Sequence, residues 1–248
     1  MALDFFAKTS GTLINVLTVS IGTTLGLLLK HRLPLPMQRI ITQGVGLLTL
    51  FIGLTMAEGM RQVQAGILDG VVLGLLTMVL GGLLGEWWQI EERLSSIGDW
   101  LKTKFKRGGN FTQGFVAASL LFCVGPMTLL GSIQNGLTGD NALLTLKSVM
   151  DGIAAIALSS SFGIGVGFSV LVILLYQGGL SLIAGVLAQT LPNPANDPRI
   201  ILITGVGGLM ILGTGINLLD LTKIRVASFL PALALAPLIY QVALLMMG

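Results

Sequence analysis

The 14 Lys/Arg and 11 Asp/Glu residues of this chain are clustered, and the gaps between the clusters constrain its fold more than any other feature. Uncharged intervals run over Gly11–Leu29, Ile40–Ala57, Gly70–Gly85, Gly108–Gly139, Gly152–Asn196, Ile200–Leu219 and from Val226 to the C-terminus. A helix needs about 20 mostly apolar residues to cross the hydrocarbon core of a bilayer. Most intervals therefore hold one span, and Gly152–Asn196 has room for two. Only 10% of residues are charged, against about 25% in ordinary soluble domains. The expectation is an all-α polytopic membrane protein with seven to eight transmembrane helices, a single transmembrane domain over residues 1–248.

The opening "MALDFFAKTSGTLINVL" has no basic leading segment and no small-residue cleavage site, so Gly11–Leu29 reads as an uncleaved first span. Cys123 is the single cysteine and lies in an apolar run, which excludes an intrachain disulfide and suits a small buried side chain. The net charge of +3 fits basic loops beside anionic headgroups and not nucleic-acid binding.

Lys30, His31, Arg32 and Arg39 fall between the first two spans, and Lys102, Lys104, Lys106 and Arg107 between the third and fourth. Basic loops stay cytoplasmic, which places the N-terminus and the Glu58–Asp69 connection outside. In "QIEERLSSIGDWLKTKFKR" the apolar residues Ile90, Leu94, Ile97, Leu101 and Phe105 recur at helical spacing, flanked by Trp87, Trp88 and Trp100. That pattern predicts an amphipathic helix over about 89–107 on the cytoplasmic membrane surface.

Three segments align without gaps: "SGTLINVLTVSIGTTLG" from Ser10, "DGVVLGLLTMVLGGLLG" from Asp69 and "DGIAAIALSSSFGIGVG" from Asp151. Glycines match at 11/22/26, 70/81/85 and 152/163/167. A second helix type recurs from Thr42, Thr112 and Thr204. The chain thus reads as internal repeats of a two-helix unit, over about 10–68, 69–150 and 151–222, with a closing helix at 226–248. Small residues spaced four apart let helix backbones approach closely. The expectation is that the first helices of the three units converge around a common axis. A "YQGG" break at Tyr176 would leave Leu180–Leu191 either to span or to re-enter the membrane, and only a crossing turns the third unit's second helix against its relatives.

"FCVGPMTLLGSIQNGLTGD", Phe122 to Asp140, interrupts an apolar run with a proline, glycines and amides. Pro126 lacks an N–H, so a broken helix is expected near Gly125-Pro126. Irregular backbone survives at membrane depth only where it is buried in protein or lines a wet cavity. Asp140 suits an N-cap, and Lys147 and Asp151 stand four apart on one helical face.

These motifs carry a likeness. "CVGPM", "GSIQNGLTGD", "LKSVMDG", "YQGG" and the early "GTLIN" resemble the bacterial inner-membrane family catalogued as domain of unknown function 554, over nearly the whole chain. The resemblance implies a multi-pass protein of the bacterial cytoplasmic (inner) membrane, often labelled a transporter. It carries over no catalytic residue.

The residues nominated for a transport path are Asn15, Glu58, Gly125, Pro126, Gln134, Asn135, Asp140, Lys147, Asp151 and Asn217. Amide oxygens and freed carbonyls can replace part of a cation's hydration shell, and Asp140, Lys147 and Asp151 are the candidate gating or coupling charges. Competing structural roles are N-capping for Asp69 and Asp151, an interfacial position for Glu58, and interhelical hydrogen bonding for the amides. Enzyme chemistry finds no support: His31 is the only histidine, which excludes HExxH and multi-histidine metal sites, and no motif calls for a cofactor or a metal. The leading expectation is a secondary transporter of a small polar or ionic solute, whose proton- or sodium-coupled cycle would use Asp151. An ion channel built from repeated helix pairs and a non-transport scaffold or assembly subunit are the alternatives. Lipid and solute are the expected partners, and the glycine faces are compatible with a homo-oligomer.

Overall fold

A computed structural model describes residues 4–30, 33–105, 108–190 and 196–247. Ten α-helices occupy them: α1 (Phe5–Lys30), α2 (Leu35–Glu58), α3 (Gly70–Trp87), α4 (Ile90–Lys104), α5 (Phe111–Cys123), α6 (Pro126–Thr138), α7 (Ala142–Phe162), α8 (Ser169–Thr190), α9 (Pro198–Leu218) and α10 (Leu230–Met247). Among the described residues seven stretches are long and apolar enough to cross a membrane, or eight if the bent pair α5 and α6 counts as one span. The chain is an all-α polytopic membrane protein. His31, Arg32, Lys106, Arg107, Leu191 and Gly248, which entered the topological expectations, lie outside the described residues.

The expected break is present. Helix α5 ends at Cys123, Gly125 is extended, and Pro126 takes the first position of α6, where a missing N–H costs nothing. The two helices meet at 60°.

The chain divides into two compact units, Met1–Val45 with Ser95–Pro192 and Gly46–Leu94 with Asn193–Gly248. In the first unit α1 lies along α7. A Cβ on Gly22 would collide with the Gly152 carbonyl, one on Gly26 with the Ile156 carbonyl and the Ser159 hydroxyl, and one on Gly11 with Leu144 at 2.6 Å. The partner numbers rise together, so the two helices run parallel with their backbones in close approach.

In the second unit the C-terminal part of α2 meets α9 through reciprocal glycines: a Cβ added to Gly53 would lie 2.8 Å from the Gly208 carbonyl oxygen, and one added to Gly215 would lie 3.1 Å from the Gly46 carbonyl oxygen. Here the numbers run in opposite senses. Helix α9 is antiparallel to α2, the helix with which the sequence pattern matched it. Gly81 and Gly82 of α3 pack against Ala232 and Phe229, so α3 pairs with α10 in this unit, while α1 pairs with α7 in the other. Within each unit the glycine faces thus work as helix pairs. A short antiparallel hairpin, Gln64–Ala65 with Leu68–Asp69, joins α2 to α3, and Met60, Val63, Leu73, Leu202 and Ala236 form the core beside it.

Two local expectations are corrected. Helix α8 is continuous through Tyr176-Gln177-Gly178-Gly179, and the interruption lies upstream, where Gly163 (φ +83°) and the 3-10 turn Ile164–Phe168 separate α7 from α8. A left-handed residue ends α7 more firmly than two helical glycines weaken α8. Residues 180–190 are therefore the end of α8. Asp151, in turn, caps nothing: α7 starts nine residues earlier, at Ala142. Asp69 does cap, its Oδ1 accepting the N–H groups of Val71 and Val72 at 2.9 Å.

Helix α4 covers most of the predicted 89–107 segment. Leu101 is buried, while Trp87, Trp88, Ile97, Trp100 and Phe105 are exposed, and the Lys104 ammonium sits 4.5 Å from the Trp100 ring centre.

Candidate functional site

Pro126 sets the site up. In a continuous helix the N–H of residue 126 would donate to the carbonyl of Phe122, four residues earlier. Proline has no N–H to give. The freed Phe122 carbonyl instead accepts from the Lys147 ammonium at 2.7 Å and from the Thr128 hydroxyl at 3.3 Å. The expected loose main-chain polarity at the break is thus satisfied by side chains from inside the protein.

Lys147 also pairs with Asp151 Oδ2, one helical turn on in α7. Across the glycine-lined contact with α1, Asn15 Nδ2 donates to the same Oδ2 at 3.0 Å and to Gln177 Oε1 of α8 at 3.0 Å. Gln177 Nε2 in turn donates to the Thr12 hydroxyl at 3.3 Å. Four elements therefore converge on one polar cluster: α1, the α5/α6 break, α7 and α8. Asn15 and Gln177 are 0% exposed, Lys147 6% and Asp151 8%.

Both amide hydrogens of Asn15 face acceptors, and the flipped amide would set its oxygen against the Asp151 carboxylate, so Oδ1 is assigned pointing away. That oxygen is buried and has no partner among the described residues, as have the hydroxyls of Thr23, Ser119, Ser132 and Ser181.

Depth follows from position. Asp151 lies nine residues from the start of the 21-residue α7, about 14 Å along its axis. Asn15 and Gln177 are likewise near the middles of α1 and α8. The cluster therefore sits near mid-span, where charge is most expensive and most often tied to function. Its formal charge is zero, one lysine against one aspartate, and breaking such a buried pair by removing one member costs about 3–5 kcal/mol.

The other nominated residues are elsewhere. Asn135 clips α6 to α1: its Oδ1 accepts the Gly11 N–H at 3.0 Å and its Nδ2 donates to the Ala7 carbonyl at 3.0 Å, the two groups that pair with each other in a regular helix. Gln134 and Asp140 bond to each other at 2.7 Å in an exposed position, and Asp140 Oδ1 also accepts the Ala142 N–H. Asn217 bonds both the N–H and the carbonyl of Ile224, at 2.8 and 2.7 Å, and so closes the loop after α9. Glu58 is exposed at the end of α2. Of the ten, Asn15, Lys147 and Asp151 meet directly, at the break that Gly125 and Pro126 make. Gln177 and Thr12 complete the cluster; a glutamine in an otherwise apolar stretch was their sequence signal. Among the described residues no three His, Cys, Asp or Glu side chains group to hold a metal.

A family model described as protein of unknown function (DUF554) matches residues 10–241. The chain belongs to the DUF554 family. It is 30% identical over 231 residues to the uncharacterized membrane protein YdfK of Bacillus subtilis (strain 168), across 92% of this chain and 94% of that protein. It is 31% identical over 233 residues to the uncharacterized protein YqgA of Escherichia coli (strain K12), across 91% and 94%. No solved structure matches the chain. Every residue of the polar cluster falls inside the DUF554 match, as do the motifs that suggested the family.

Proposed function

We propose that this DUF554 protein is a secondary transporter that moves a small polar or ionic solute past the Lys147–Asp151 pair at the broken α5/α6 helix. The observation that carries this reading is a buried, mid-span ion pair bonded to a helix-break carbonyl. A break at membrane depth and a charged pair facing the protein interior are the parts from which transporter sites are built. The almost complete burial of Asn15, Gln177, Lys147 and Asp151 favours an occluded carrier site over a standing pore.

In this proposal the protein lies in the bacterial cytoplasmic membrane with its N-terminus outside and performs no enzymatic chemistry. The parallel α1/α7 pair supports a fold grown from duplicated two-helix units, in which α8 is an added crossing that turns α9 against α2.

The test is uptake into proteoliposomes, screened over cations, amines and amino acids, for wild type and Asp151→Asn. Saturable uptake that the substitution abolishes supports the reading. Uptake and ion dependence unchanged in Asp151→Asn would remove Asp151 from the path.

A further inference from the structure

We infer that the Lys147 ammonium occupies a site for a small monovalent cation, and that cation and lysine exchange on Asp151. The oxygens around Lys147 are those a cation would use. Asp151 Oδ2 and the Phe122 carbonyl already coordinate a positive charge, the ammonium itself. Asn15 Nδ2 bonds the same Asp151 Oδ2, and Asn15 Oδ1, turned away from that carboxylate, is the one buried carbonyl-type side-chain oxygen of the cluster left without a donor among the described residues. Such an oxygen costs free energy until something donates to it or coordinates it.

The charge count fixes the class. One carboxylate with neutral carbonyl, amide and hydroxyl oxygens balances a single positive charge once the lysine has swung away. All-protein calcium sites gather several carboxylates, and no group of three His, Cys, Asp or Glu side chains exists among the described residues. Lysine is suited to be the displaced member because its ammonium is a compact point charge on a flexible stem. Two cations that compete for one carboxylate are reciprocally coupled: each weakens the other. A bare alkali ion and the primary ammonium group of a solute offer the same chemistry. That this ion couples to solute movement rests on the transport reading above; its binding does not.

The experiment uses the full chain purified in detergent, unfolded thermally in choline chloride and in sodium, potassium or ammonium chloride at equal ionic strength. Lys147→Gln removes the ammonium and keeps the Asp151 carboxyl group. In Lys147→Gln one of the small cations is expected to raise the midpoint saturably, with half-saturation at a concentration at least about tenfold below that of wild type. The shift is expected to vanish in Lys147→Gln/Asp151→Asn and to weaken in Asn15→Leu. A preference for sodium or potassium identifies an alkali occupant, and a preference for ammonium an amine-bearing solute.

Identical midpoints in all four salts for folded Lys147→Gln overturn the inference, as does a shift that survives in the double variant. Should Lys147→Gln be recovered folded only in a small-cation salt, the inference is supported. Recovery in none, while the double variant folds, overturns it. Uptake that depends on Asp151 without any cation shift in Lys147→Gln removes this inference alone. A cation shift in a protein that moves no solute removes the transport reading alone.

Discussion

The Lys147 ammonium lies 2.7 Å from the Phe122 carbonyl, and this bond stands in for the one that Pro126 cannot donate. The broken helix and the buried charge are therefore one feature. The proline frees a carbonyl, the lysine satisfies it, and Asp151 balances the lysine. Asn15 and Gln177 then fasten the carboxylate to α1 and α8.

Removing one member of the pair should be worse than removing both. Lys147→Ala is expected to cost about 3–5 kcal/mol, because it takes the counter-ion from a buried carboxylate and leaves the Phe122 carbonyl with the Thr128 hydroxyl alone. Lys147→Met/Asp151→Asn is expected to recover most of that loss. Thermal or denaturant unfolding in detergent reads both; equal losses in single and double variants would contradict the shared role.

Close helix approach should make Gly22 and Gly85 intolerant. A Cβ at Gly22 meets the Gly152 carbonyl, and one at Gly85 meets the Ser228 carbonyl. Backbone atoms do not move aside as side chains do, so each alanine substitution is expected to destabilise by about 1–3 kcal/mol. Gly44 has open space within 4 Å, and Gly44→Ala should instead gain roughly 0.5–1 kcal/mol from helix propensity.

Asn217 was a candidate ligand by composition and is a loop clamp by geometry. Asn217→Ala should remove two hydrogen bonds to Ile224, a loss of about 1–3 kcal/mol at the usual net value of each. Asn217→Ala should leave solute uptake by the folded protein unchanged. A selective loss of uptake without loss of stability would place Asn217 in the path.

Two carboxylates outside the spans should give stability opposite pH slopes. Burial pushes Glu91 above the usual 4.5, against the Ala227 N–H and Arg225, which pull it down, and with Glu92 and Glu86 adding to the rise. The folded state then holds its proton more tightly than the unfolded state, so stability falls as pH rises from about 4.5 through the raised value. Asp197 is held below 3.8, chiefly by the Arg199 side chain, so its contribution is present above 3.8 and disappears as pH falls through the lowered value. Unfolding midpoints against pH for Glu91→Gln and Asp197→Asn should each lose one slope and keep the other.

The sequence made the membrane class, the break and the Lys147/Asp151 spacing legible because each rests on local chemistry: charge gaps, a proline without an N–H, and a four-residue helical step. The partners of that pair were harder to find. Gln177 sits beside two glycines that suggested a break, and the glycines drew notice from the glutamine. Asn135 and Asn217 resemble Asn15 in one dimension, since all three are amides in apolar surroundings. What separates them is which helix each one faces, and that depends on the glycine contacts that bring α1 onto α7 and α2 onto α9. The antiparallel course of α9 was likewise hidden until Gly163, and not the glycines after Gln177, proved to end a span.

The native sequence supplies its own probe of whether the buried cluster opens. Cys123 is the only cysteine, is 5% exposed, and lies close enough to Lys147 and Asp151 for both charges to act on it. Labelling by a membrane-impermeant thiol reagent, followed in right-side-out and inverted vesicles, tests the carrier account directly. The account predicts slow modification from at least one side, with a rate that changes severalfold in Lys147→Gln and on addition of a bound cation or solute. A thiol that stays unmodified from both sides under all these conditions, in folded protein, would contradict it.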